Sequence, residues 1–189
     1  MEFCSIRFKK KKIFVSRDRF GEKPFYYYFY KQNFFFGSEP KFIFSLLGRK
    51  LNVNFQKLSN YLILGYRSIF KERGSFYEDL KELKPAMNMT LDLDLKKKEK
   101  KYWQLNFNPM KLTEHDVNEE LKSLLRNSIS LRLRSDVPIA FCLSGGIDSS
   151  SLAAITCQNL NKNIHTFSII DNDPRYDERK EIEEITNYL

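Results

Sequence analysis

Cysteine is scarce in this sequence, long apolar runs are missing, and neither sign of charge is absent. The three cysteines, Cys4, Cys142 and Cys157, make an odd number and show no Cys-x-x-Cys spacing. That excludes a disulfide scaffold and a paired-cysteine zinc site, and it implies free thiols in a reducing, cytoplasmic compartment. No stretch of eighteen apolar residues occurs, so no transmembrane helix is expected. Charges stand near the N-terminus where a secretory leader has its apolar stretch. No internal repeat is visible. What is present suffices for a folded protein: hydrophobic residues are 42% of 189, which excludes wholesale disorder. The net charge of +8 is concentrated in residues 9–12 and in residues 96–101, broken there only by Glu99. A nucleic-acid surface would interleave such charge with aromatics on one face. These runs instead adjoin strand-like segments and read as solvated hairpin tips, so neither a nucleic acid nor a membrane is expected as partner.

The first half is β-rich. Residues 13–15, 25–29 and 34–36 are aromatic and β-branched, as strands prefer. Lys31, Gln32 and Asn33 form a hairpin-length break between the last two. Residues 42–47 and 55–64 have helical character, and residues 87–93 alternate with period two. Residues 96–111 change composition and include Pro109, which suggests a linker. The predicted division is 1–95, a linker at 96–112, and 113–189. In the last part, Thr113 and Asp116 match a capping box, with Val117, Leu121, Leu124 and Leu125 following at helical spacing. Residues 138–143 are a short apolar run, as in a strand buried on both faces. Residues 149–160 read as a helix and 164–170 as a second strand, and Ile182, Ile185 and Leu189 share one helical face. The fold class expected is an α+β part followed by an α/β parallel sheet with right-handed crossovers.

Chemistry concentrates in Ser144-Gly145-Gly146-Ile147-Asp148-Ser149-Ser150, between the apolar strand and the next helix. Paired glycines let backbone N–H groups approach a ligand, and the helix directs its positive end at the same place. Three hydroxyls could donate to phosphate oxygens, and Asp148 could hold magnesium against them. The loop is not GxxxxGK[ST], so a Walker A loop is excluded. The plainer alternative is a glycine-rich turn with Ser149 as N-cap.

SGGIDSS resembles the pyrophosphate-binding loop of the ATP pyrophosphatases, which cleave ATP between its α and β phosphates. The first half narrows the choice. Residues 17–24 (RDRFGEKP) with Phe25-Tyr26-Tyr27, then residues 36–41 (FGSEPK), are similar to the late part of the glutaminase domain in glutamine-hydrolysing asparagine synthetases. Lys84-Pro85-Ala86, Met89-Thr90-Leu91-Asp92, residues 134–138 (RSDVP), Asp173-Pro174 and Tyr176-Asp177-Glu178 resemble later stretches in the same order. An exposed charged turn would account for RDRFGEKP alone, but not for its co-occurrence with the loop.

The resemblance implies part of an N-terminal-nucleophile glutaminase sandwich, followed by the start of an ATP-pyrophosphatase domain. It implies aspartate, ATP and glutamine-derived ammonia as substrates, with magnesium as cofactor and aspartyl-AMP as intermediate, and it admits a homodimer. Ser144, Gly145, Gly146, Ser149 and Ser150, with Leu143 before them, would cradle pyrophosphate, and Asp148 would bind magnesium. Cys142 and Ile169 would line the adenine side, or simply pack. Two features depart from the family pattern: Cys142 at an apolar strand position, and Asp171-Asn172-Asp173 where glycine is frequent. The family's N-terminal cysteine nucleophile has no counterpart, since Cys4 follows Met1 and fits an internal strand better. The family's catalytic lysine would follow residue 189. No catalytic residue is therefore expected in this chain, which reads as a piece of a longer enzyme, inactive on glutamine and weakly stable. Rival readings are a sister amidotransferase acting on a peptide or sugar precursor, and a non-catalytic nucleotide-binding remnant.

Overall fold

The computed structural model describes residues 12–66 and 74–189. Cys4 and the strand expected around it lie outside them. The chain divides into two compact units, Met1–Phe107 and Asn108–Leu189.

The first unit contains two antiparallel sheets. One orders β1 (Ile13–Ser16), β5 (Met87–Leu91) and β6 (Lys97–Lys101) with β5 central, and Val15 lies opposite Met89. The other orders β3 (Asn33–Gly37), β2 (Tyr26–Tyr30) and β4 (Lys81–Glu82) with β2 central. Alternation explains why the aromatic run needs no polar residue. Phe25, Tyr27 and Phe29 point one way, into a core with Leu83, just past β4, and with Val15, Met89 and Leu91 of the facing sheet. Tyr26 and Tyr28 point the other way, onto Ile43, Leu51 and Leu80. Helix α1 (Pro40–Leu47) supplies Ile43 to this second layer. Met89, Leu91, Val15 and Ile43 are fully buried, and each such side chain contributes about 1.5–3 kcal/mol. Helix α2 (Phe55–Leu64) starts on Asn54, whose side chain accepts from the Lys57 N–H.

Two expectations change here. The β2–β3 break is Lys31 and Gln32 alone, because Asn33 already pairs with Tyr30; Lys31 takes the turn at φ 53°. Residues 97–101, read as linker, form strand β6 instead. The strand is an edge, which tolerates lysines and is protected by them. The Lys97 ammonium and the Tyr27 hydroxyl both donate to Glu99 Oε1, at 2.8 and 3.1 Å, tying β6 to the facing sheet.

The second unit begins with α3 (Glu114–Arg132). Thr113 Oγ1 accepts from the Asp116 N–H, and Asp116 Oδ2 accepts from the Thr113 N–H, so the expected capping box is present. Strands β7 (Ala140–Cys142) and β8 (His165–Phe167) pair in parallel. Between them run α4 (Ile147–Ala154) and a π-turn over Ile155–Asn159. Thr156, fully buried, donates to the Leu152 carbonyl at 2.8 Å. Helix α5 (Arg179–Tyr188) follows β8. The two strands are shorter than expected, and β7 is not buried on both faces: Ala140 and Cys142 are exposed. Only β8 pairs with it among the described residues, so no neighbour closes its other edge. Val117, Leu121 and Leu124 lie at helical spacing on α3 but are exposed. No described helix is long and apolar enough to cross a membrane.

A candidate phosphate-binding loop

The chain leaves β7 through Leu143, whose N–H donates to the Phe167 carbonyl at 2.9 Å and whose side chain is buried. This fixes the exit point of the loop. Ser144 N–H donates to Ser149 Oγ at 3.2 Å, and the two hydroxyls lie 3.2 Å apart. Ser149 Oγ donates to the Gly146 carbonyl at 3.2 Å, and Gly146 N–H reaches Ser144 Oγ at 3.4 Å. These bonds fold residues 144–149 back onto the start of α4.

Gly145 adopts φ +73°, and a Cβ there would lie 2.6 Å from Cβ of Glu181 on α5. A side chain is therefore excluded twice, by backbone strain and by the neighbouring helix. Gly146 is the N-cap of α4, and no side chain caps that end. The plainer reading with Ser149 as N-cap does not hold: Ser149 lies inside the helix and serves the loop. The first N–H groups of α4 therefore lack a side-chain acceptor, which with the helix dipole is the setting for an anion.

Of the three hydroxyls, those of Ser144 and Ser149 are engaged within the loop. Ser150 Oγ is buried and has no hydrogen-bond partner among the described residues. An unsatisfied buried hydroxyl is costly unless something binds it. Asp148 is exposed in the first turn of α4. Among the described residues no group of three or more His, Cys, Asp or Glu side chains gathers for a metal. Asp148 would then be the loop's own carboxylate for magnesium, with phosphate oxygens and water supplying the rest, an arrangement magnesium accepts. Cys142, exposed, ends β7. Ile169, 94% exposed, lies two residues past β8, so it does not end a strand as expected.

The RDRFGEKP segment is organised by two side chains rather than being a loose charged turn. Asp18 accepts the N–H groups of Phe20, Gly21, Glu22 and Lys23 at 2.5–3.2 Å. Burial pushes its carboxyl up, but these four donors outweigh that and hold it below the usual range. Arg17, 6% exposed, donates to the carbonyls of Lys23, Gly21 and Leu83 and pairs with Glu82 at 2.8 Å. The folded segment borders a cavity of about 710 Å³ lined by Arg19, Lys84, Glu99, Lys101 and Trp103 among others. Neither Arg17's burial nor this cavity is signalled by local polarity, because the Leu83 carbonyl and the Glu82 carboxylate come from far along the chain.

Residues 3–103 match the family model described as glutamine amidotransferase domain, and residues 120–189 match that described as asparagine synthase. A Methanocaldococcus jannaschii protein named putative asparagine synthetase (glutamine-hydrolyzing) 2 is 37% identical over 99% of this chain and 36% of its own length. Asparagine synthetase (glutamine-hydrolyzing) 3 of Bacillus subtilis is 32% identical over 85% of the chain and 26% of its own length. Amidase chry2 of Gibberella zeae is 28% identical over 77% of the chain and 21% of its own length. The chain thus spans 21% to 36% of the length of these relatives.

Proposed function

This chain belongs to the glutamine-hydrolysing asparagine synthetase family, and from that membership we propose that residues 144–150 bind the pyrophosphate of ATP in an aspartate-amidating ligase. The observation that carries the proposal is the uncapped N-terminus of α4 beside the unpartnered, buried Ser150 hydroxyl. Gly145 and Gly146 give the backbone room to approach phosphate oxygens, and the N–H groups of the first α4 turn donate to them. Ser150 Oγ supplies a further donor. Ser144 and Ser149 hold the loop in shape and can turn outward. Magnesium, when bound, neutralises phosphate charge, and Asp148 is the residue that would hold it. Cys142 and Ile169 flank the adenine side. In the whole enzyme, the aspartate side-chain carboxylate attacks the α-phosphorus of ATP, releasing pyrophosphate and giving aspartyl-AMP. Glutamine-derived ammonia then displaces AMP, leaving asparagine.

The test is exchange of labelled pyrophosphate into ATP by the protein purified from its source cells. Exchange that requires aspartate supports the assignment. Exchange that ignores aspartate but requires a peptide or sugar precursor would favour a second reading, a sister amidotransferase with another acceptor. The likeness to amidase chry2 is the observation behind that alternative.

A further inference from the structure

Lys57 is anomalous. It lies in the first turn of α2, is 5% exposed, and its Nζ is buried with no hydrogen-bond partner among the described residues. A buried ammonium without an anion is among the most unfavourable arrangements a fold can hold. Lys57 also lines a cavity of about 380 Å³ in the first unit, together with Asn54, Gln56, Ser75, Asp79 and Lys81. That volume is within the range of small-ligand pockets. The wall carries two lysines against one aspartate. It also includes the N-terminal end of a ten-residue helix, whose positive end favours negative charge. Ser75 Oγ and the Asn54 side chain accept backbone N–H groups of Tyr77 and Lys57, which fixes the polar rim in place.

We propose that this cavity binds a small anionic metabolite carrying a carboxylate or phosphate, with Lys57 as the charge that receives it. The site is separate from the loop at 144–150 and independent of the function proposed for it. Asp79 is the sole carboxylate among the described residues lining the cavity, and it sets the competing account, in which Lys57 turns to pair with Asp79 and needs no ligand.

Thermal unfolding of the 189-residue chain, followed at constant ionic strength with inorganic phosphate or succinate replacing chloride, distinguishes the two. The melting temperature should rise with at least one anion, and which one responds separates a phosphate from a carboxylate ligand. Lys57→Met should abolish that rise, weakening anion binding at least about tenfold, while leaving the anion-free melting temperature unchanged or higher. Asp79→Asn provides a second arm, since Asn tolerates the φ of 60° found there. It should tighten anion binding without loss of anion-free stability. No response to either anion in the unaltered chain would overturn the proposal, as would a clear drop in anion-free melting temperature in Asp79→Asn.

Discussion

Arg17→Met should be among the most damaging single substitutions in the first unit. The guanidinium serves three backbone carbonyls and pairs with Glu82, itself 20% exposed. Methionine fills similar space but leaves the Leu83 carbonyl and the Glu82 carboxylate without their donor. Breaking one side of a buried pair costs about 3–5 kcal/mol. Water can reach Glu82 in part, so the lower end, about 3 kcal/mol, is expected. Against a typical domain stability of about 5–15 kcal/mol that is a large fraction. With an m-value of about 1–3 kcal/mol/M, the urea midpoint should fall by about 1–3 M. Trp103, the single tryptophan, reports on this segment. It contacts Phe20 edge-on at 5.4 Å, and Arg19 lies 5.7 Å over its ring. Its fluorescence during urea unfolding is the assay. Arg17→Lys keeps the charge but not the planar fork, and should recover only part of the loss. A midpoint within about 0.3 M of the original for Arg17→Met, at unchanged m, would refute the reasoning.

Asp18 should make the first unit acid-labile. Its folded pKa lies below the ordinary 3.8, so its contribution is present above that pH and is lost as pH falls through the folded value. Asp18→Asn should therefore flatten the acid limb of urea midpoint against pH, and cost about 1 kcal/mol at neutrality. Ser150→Ala removes a hydroxyl with no partner, so stability should hold or rise slightly while ATP affinity, by equilibrium dialysis, drops about tenfold. Thr113→Ala breaks the capping box and should cost about 1 kcal/mol of α3 stability, seen as faster amide exchange in its first turn.

Strong local patterns were legible in the sequence. Thr113 with Asp116 announced the start of α3, and the aromatic runs announced the β2–β3 hairpin, because each signal lies within a few residues. Strand β6 was not legible, since Lys97, Lys98, Glu99, Lys100 and Lys101 carry no apolar alternation. That strand exists because Met87–Leu91 presents an edge for it to pair with. The supposed double burial of β7 failed for a related reason: apolar composition records what a strand suits, not which neighbours it has. Arg17 looked like surface charge, yet it is buried against carbonyls as far away as residue 83. The loop at 144–150 was recognisable from its residue types, but not the division of labour inside it. Only the geometry separates Ser144 and Ser149, which hold the loop, from Ser150, whose hydroxyl is free. Lys57 gave no signal, because its helix reads as amphipathic around it.

Equilibrium binding of labelled ATP, with and without magnesium, to the unaltered protein and to Asp148→Asn tests the central claim most directly. ATP should bind, magnesium should strengthen that binding, and Asp148→Asn should remove most of the strengthening while leaving the fold intact by circular dichroism. Failure of the unaltered folded protein to bind ATP, or a magnesium effect that survives in Asp148→Asn, would contradict the assignment of residues 144–150 as the pyrophosphate-binding loop.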